Sequence, residues 1–221
     1  MRAMTGYDPS PSTQNLAPLL WHNRQCSLQK MQSDPNGTRP QSLYALVMYL
    51  PDPLGGFLDD LRLEMVPGCN PHAHISVLPP RPLPLAPEAA IEEARGIVAG
   101  FAPFDIELGR IEKFDVTDVI YISVEAGAEQ LRQIHRSLNR GPLAFEEPFA
   151  YHPHVTLAQE IEADQVETLV ALAARRWREF RGPRRFRADS TVFVRNTRGN
   201  LWIDLANGPL RGAPVGPPGL C

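Results

Sequence analysis

Cysteine is scarce in this 221-residue chain and poorly placed for cross-linking. Cys26, Cys69 and Cys221 are odd in number, far apart and free of any CxxC spacing. That excludes a disulfide framework or a thiolate zinc site and fits reduced thiols in a reducing, cytoplasmic compartment. Long apolar runs are also lacking. Nothing approaches the roughly 18 residues that suggest a bilayer span, and no apolar signal core follows Arg2, so no membrane partner is expected. Nor does charge of one sign dominate. A formal charge of −3 and a pI near 6.1 argue against gripping long nucleic acid through many phosphates, which leaves short or terminal nucleotides as partners. Positive charge is concentrated locally, because residues 175–198 hold nine arginines against Glu179 and Asp189.

What is present suggests one compact domain, expected as a monomer, between two irregular ends. Residues 1–41 mix Pro, Ser, Thr, Asn and Gln without periodicity and read as a flexible leader, within which Met31 is an alternative start. Residues 208–221 are rich in Gly and Pro and are expected to join no helix or ladder. Over 42–207, Leu43 to Leu50 has strand length and composition, and Leu54 to Met65 follows as a helix. Ile91, Ala94, Val98 and Phe101 mark a second helix behind Pro87, and Leu131, Ile134 and Leu138 a third. Val166 to Phe180 traces a long fourth one. Phe104 to Leu108 and Val119 to Val124 form a hairpin with a bulge at Gly109. A closing hairpin is expected between 186–195 and 201–206, turning at Arg198-Gly199-Asn200.

One short pattern occurs twice. His72-Ala73-His74-Ile75-Ser76-Val77 is matched 80 residues later by His152-Pro153-His154-Val155-Thr156-Leu157. On a strand, side chains at i and i+2 share a face, so His74 sits beside Ser76 and His154 beside Thr156. Each motif follows a strand and a helix and precedes a helix and a strand, which indicates a duplicated, two-lobed α+β fold with both motifs facing a shared cleft. Two imidazoles with a pKa near 6.5 can divide the acid and base roles of phosphodiester cleavage. Two hydroxyls can donate to non-bridging phosphate oxygens.

The doubled tetrads His74-Ile75-Ser76-Val77 and His154-Val155-Thr156-Leu157 resemble the signature of the two-histidine phosphoesterase superfamily, in particular its RNA ligase-like and RNA 2′,3′-cyclic phosphodiesterase members. The resemblance covers residues 42–206. It implies antiparallel sheets around a central cleft with helices outside, and a reaction needing no metal or other cofactor. His74 and His154 would be the catalytic acid and base, and Ser76 and Thr156 the substrate-binding residues, acting on a nucleotide or an RNA end. Leu157-Ala158-Gln159 departs from RNA ligase-like members that carry an arginine just after the second tetrad. Arg81, Arg195 and Arg198 are candidates to replace that cation.

Two rival readings accompany this one. The His72/His74 and His152/His154 pairs could chelate a metal, with Asp189 or Asp204 as a further ligand, giving a metal-dependent hydrolase. Alternatively, the arginine-rich stretch with Trp177, Phe186 and Phe193 could make a non-catalytic nucleotide or RNA-binding module. Its arginines are better explained as a solvated helix face, and Trp177 as core. His22 and His135 read as structural, and Tyr151 and Trp202 as either base-stacking or core aromatics.

Overall fold

The computed structural model describes residues 42–197 and 201–212. The leader, Met31, Arg198 with its turn, and residues 213–221 lie outside the described residues. Eight strands and four α-helices alternate in the order β1 (Tyr44–Tyr49), α1 (Leu54–Met65), β2 (His74–Arg81), α2 (Pro87–Ala99), β3 (Phe104–Lys113), β4 (Ile120–Ala126), α3 (Ala128–Leu138), β5 (His154–Ala158), α4 (Val166–Glu179), β6 (Arg185–Ala188), β7 (Ser190–Asn196) and β8 (Trp202–Pro209). Among the described residues, no helix is long and apolar enough to cross a membrane.

All strands join one curled, antiparallel sheet ordered β6-β3-β4-β5-β2-β1-β7-β8. The expected two lobes are therefore two halves of one sheet. The order is palindromic about the β5/β2 seam, with β4 answering β1 and β5 answering β2. Alternation along β1 divides its residues between two faces. Tyr44, Leu46 and Met48 enter the main core, whereas Ala45 and Val47 pack in a second, small cluster with Val194. Leu58, Ala94, Leu131 and Trp177, one from each helix, belong to the main core. The four helices thus cover the same face, and the other face is left for the cleft.

The closing hairpin expected between 186–195 and 201–206 forms from β7 and β8, but its first strand begins only at Ser190. The chain breaks at Asp189: β6 pairs with β3 in the second lobe, while β7 pairs with β1 and β8 in the first. The inward positions change parity there, from Phe186 and Ala188 to Thr191 and Phe193, as a strand leaving one sheet edge for another requires. The domain also runs past residue 207. Gly208 and Pro209 pair with Thr191 and Ser190, and the Leu210 and Gly212 N–H groups donate to the carbonyls of Asp189 and Phe101 at 2.8 and 2.9 Å. A Cβ on Gly208 would lie 3.0 Å from Thr191 Oγ1, so the missing side chain permits this close pairing. Pro209 is tolerated because β8 is an edge strand. The bulge expected at Gly109 is present as a register shift between Leu108 and Ile111.

Helix α1 begins almost on top of β1. A Cβ on Gly55 would sit 2.4 Å from the Leu50 carbonyl oxygen, whereas one on Gly56 would meet only the Asp52 side chain, at 3.1 Å. Alanine is worth about 1 kcal/mol over glycine in a helix, but backbone crowding at Gly55 costs more, of the order of 1–3 kcal/mol. Gly55→Ala is therefore expected to lower the thermal midpoint by a few degrees, and Gly56→Ala to leave it level or raised. Equal midpoints in the two variants would contradict this packing.

Candidate active site

Strands β2 and β5 carry the two histidine tetrads and lie side by side, antiparallel, with Ile75 opposite Val155. That register sets His74 against Thr156 and Ser76 against His154, so each imidazole meets the hydroxyl of the other tetrad across the seam. Ile75, Val77, Val155 and Leu157 enter the core, which turns all four candidate side chains to the cleft face. The two segments share one burial pattern. From Pro71 to Leu78 and from Tyr151 to Ala158, the positions pass through the same sequence of half-buried, exposed and buried residues.

Each tetrad imidazole is held from behind in the same way. Nδ1–H of His74 donates to the His72 carbonyl at 2.6 Å, and Nδ1–H of His154 donates to the His152 carbonyl at 2.6 Å. In the neutral rings this hydrogen bond places the proton on Nδ1 and leaves the Nε2 lone pair free. Burial pushes the His74 imidazole down to about 4; the bond to His72 opposes this, while Arg62 and the positive charges of His72 and His154 add to it. His154 is lowered too, chiefly by burial and then by His152, against the bond to the His152 carbonyl.

Aromatic rings brace both pairs. Tyr49 stacks on His72 at 3.6 Å between centroids, meets His74 edge-on at 6.4 Å, and donates its hydroxyl to Asp204 at 2.6 Å. Across the seam, Phe114 and Tyr121 stack at 4.2 Å, and both meet His152 and His154 at centroid distances of 5.2–5.5 Å. The Tyr121 hydroxyl donates to Glu112 at 3.0 Å, and burial together with that carboxylate pushes its pKa up to about 12. It is a neutral donor at any working pH. Arg110 pairs with Glu112 at 3.5 Å, and its backbone N–H bonds Ser123 Oγ at 3.1 Å. Ser123 lies opposite His154.

Several sequence candidates fall elsewhere. Arg81 is 2% exposed and occupied by Glu147, Asn139 and the carbonyls of Pro79 and Leu143, so it cannot turn to a phosphate. Arg195 stands opposite Tyr44, and Tyr44 belongs to the core side of the sheet. Arg195 therefore projects to the helix side. Asp204 is bound by Tyr49, and Asp189 lies at the β6/β7 break, accepting from the Ser190 hydroxyl. Among the described residues, no group of three or more His, Cys, Asp or Glu side chains is arranged to hold a metal. His135 is buried and bonds the Val77 carbonyl, as a structural histidine should. Tyr151 stacks on His135 at 3.9 Å and donates to the Ser76 carbonyl at 2.9 Å, and Trp202 packs beside Val47 and Val194.

The carbonyls of His72 and His152 and the aromatic braces Tyr49, Phe114 and Tyr121 were not found from the sequence. Backbone carbonyls carry no residue signature.

The chain is similar to known proteins in sequence and in fold. Residues 50–200 match the profile of the 2′-5′ RNA ligase superfamily. A protein of Oceanobacillus iheyensis, named by inference as a phosphoesterase, is 32% identical over 81 residues, covering 36% of this chain and 47% of its own length. A similarly named Bacillus cytotoxicus protein is 30% identical over 106 residues, covering 43% and 61%. The match thus spans about half to three fifths of these relatives. Among solved structures, TT0787 of Thermus thermophilus superposes with a TM-score of 0.54 at 18% identity, over 77% of this chain and 98% of that one. Escherichia coli LigT in complex with 3′-AMP gives 0.52 at 16% identity, over 76% and 98%. These structures share the fold. With the palindromic sheet and its paired tetrads, the profile match over most of the chain shows that this protein belongs to the 2′-5′ RNA ligase superfamily, the two-histidine phosphoesterases.

Proposed function

We propose that the protein is a phosphodiesterase that opens 2′,3′-cyclic phosphates at RNA ends or in small nucleotides, with linear 2′-5′ bonds as related substrates, and that it works without a metal. The observation that carries this reading is the matched pair of Nδ1–H bonds to His72 and His152, which leaves two Nε2 atoms facing one cleft. A neutral Nε2 takes a proton from the attacking water as its oxygen bonds to phosphorus. The other imidazole, protonated, gives Nε2–H to the departing ribose oxygen. Ser76 and Thr156 donate to the non-bridging oxygens and share the charge growing there. The rings of Tyr49, His72, Phe114 and Tyr121 offer apolar surface for a ribose or base on either side. LigT, with the same fold, has been captured with 3′-AMP, which supports a nucleotide ligand.

The test is turnover of the four nucleoside 2′,3′-cyclic monophosphates and of a short RNA ending in a cyclic phosphate, with excess EDTA present. Activity should persist in EDTA and fall by about 10²- to 10⁴-fold in His74→Ala and in His154→Ala. Ser76→Ala and Thr156→Ala should each lose about tenfold or more, as for removal of one donor to a developing oxyanion. Full activity in both histidine variants would remove the assignment, and activity abolished by EDTA would favour the metal-dependent reading.

The depressed imidazoles also set a pH dependence. In the free protein both rings are mostly neutral at pH 7, since both lie below the ordinary value near 6.5. The acid role needs one of them charged. kcat/KM is therefore expected to peak on the acid side of neutrality and to fall as pH rises through the acid's pKa. It should fall again at low pH as the base becomes protonated, the two limbs belonging to the coupled pair. A bound phosphate anion favours imidazolium, so the alkaline limb of kcat should lie at higher pH than that of kcat/KM. A kcat/KM profile still rising above pH 7 would contradict the burial of these rings.

A further inference from the structure

The two lobes meet at a thin seam, since Ile75 and Val155 form the ladder pair assigned between β2 and β5. The connection from α1 to β2 takes eight residues, Val66 to Ala73, whereas its counterpart from α3 to β5 takes fifteen, Asn139 to Pro153. The longer segment contains only a 3₁₀ turn, Gly141–Leu143, yet it is firmly tied to the other lobe. Arg81, at the end of β2, bonds Asn139 Oδ1 at 2.7 Å and the Leu143 carbonyl at 3.0 Å, and pairs with Glu147. Asn139 in turn fixes both backbone groups of Phe145, at 2.9 and 3.2 Å. Glu147 Oε2 stands 3.5 Å from His135 Nε2. The network ends on the tetrad strand itself: Nδ1–H of His135 donates to the Val77 carbonyl at 2.9 Å, and the Tyr151 hydroxyl to the Ser76 carbonyl at 2.9 Å.

A buried ion pair is a weak source of stability, because desolvation offsets its attraction; its best-attested use is to fix a register. Here the pair lies where two halves of a sheet have little ladder between them. The carbonyls it reaches belong to Ser76, which faces His154, and to the residue after it. We propose that Tyr151 and His135, stacked on each other beside the Arg81–Glu147 pair, are positioning residues that set the spacing between the two tetrads by holding β2 across the seam. This inference rests on the two-histidine reading of the same cleft. Tyr151 and His135 touch no reacting atom. They act through the backbone of Ser76 and Val77, and a displacement of the order of 1 Å between reacting groups can cost about 100-fold in rate.

The experiment measures kcat and KM on a nucleoside 2′,3′-cyclic monophosphate for Tyr151→Phe, His135→Leu and His135→Asn. Asp105→Asn, which alters an exposed ion pair with Arg185 and Arg187, serves as a control. Tyr151→Phe removes one oxygen and keeps the ring stacked on His135, so the fold is retained. Its kcat is expected to fall about 10- to 100-fold with KM little changed. His135→Leu should behave alike, and His135→Asn, which carries an N–H near the lost Nδ1, should recover part of the rate. NMR titration of the ¹⁵N-labelled tetrad imidazoles needs no turnover and separates this inference from the proposed activity. Weaker mutual repulsion in Tyr151→Phe should bring the two midpoints closer together than in the wild type. If the wild type turns over no cyclic phosphate, the activity reading fails and the titration alone decides. Wild-type kcat, a loss confined to KM, or unchanged midpoints in folded Tyr151→Phe would overturn the positioning role.

Discussion

Two strands that touch at Ile75 and Val155 decide what every other part of this protein can do. In an antiparallel pair, residues on either side of a matched position face each other crosswise, so this one register brings an imidazole from each half against a hydroxyl from the other. A slip of one residue in either strand would turn that strand's histidine and hydroxyl into the hydrophobic core and its two core residues into the cleft. The buried side chains of Ile75, Val77, Val155 and Leu157 make that slip costly, since each contributes about 1.5–3 kcal/mol by leaving water. The apolar half of each tetrad thus holds the polar half in place.

The same burial sets the electrostatic character of the cleft. Placing two ionisable rings close together in a partly dry site disfavours charge on either one, and the carbonyls of His72 and His152 only partly offset that penalty. An anion entering the cleft would relieve it. On the proposed function, a phosphate would bring the negative charge that allows one imidazole to hold its proton. Described arginines on the core side cannot take this part: Arg81 is committed to Glu147, and Arg195 projects away from the cleft.

Much of this was legible in the sequence, for identifiable reasons. Apolar spacing in Leu54 to Met65 or Leu131 to Leu138 reports on neighbours within one helix, and the structure has helices at both places. The doubled tetrad was visible because duplication repeats a pattern that chance seldom does. Where β6 ends and β7 begins was not legible, because Arg185 to Asn196 reads as one extended run and only its pairing with β3 or β1 separates the two strands. Arg81 looked like a free cation because a side chain's partners, here contributed from residues 139 to 147, do not show in its own neighbourhood. The carbonyl of His72 is invisible for a plainer reason, since every residue has one.

The crossing of the chain between lobes has a consequence for how the protein is made. Strand β1 lies between β2 and β7, and Val47 is paired with Val192, 145 positions further along. The second lobe contains β3, β4 and β5 in close succession and can assemble its hairpin early. The first lobe keeps an open edge until nearly the whole chain is available. During synthesis β1 thus pairs with β2 early but waits longest for its second neighbour, and it is an apolar strand, Tyr-Ala-Leu-Val-Met-Tyr. Closing so long a loop is slow, and an unpaired strand edge is an invitation to other chains. The first lobe is built from β1, β2, β7 and β8, with the whole of the second, β3 to β6, between β2 and β7 in the chain, so the two lobes, alike as they are in plan, cannot be separated into two proteins by a single cut.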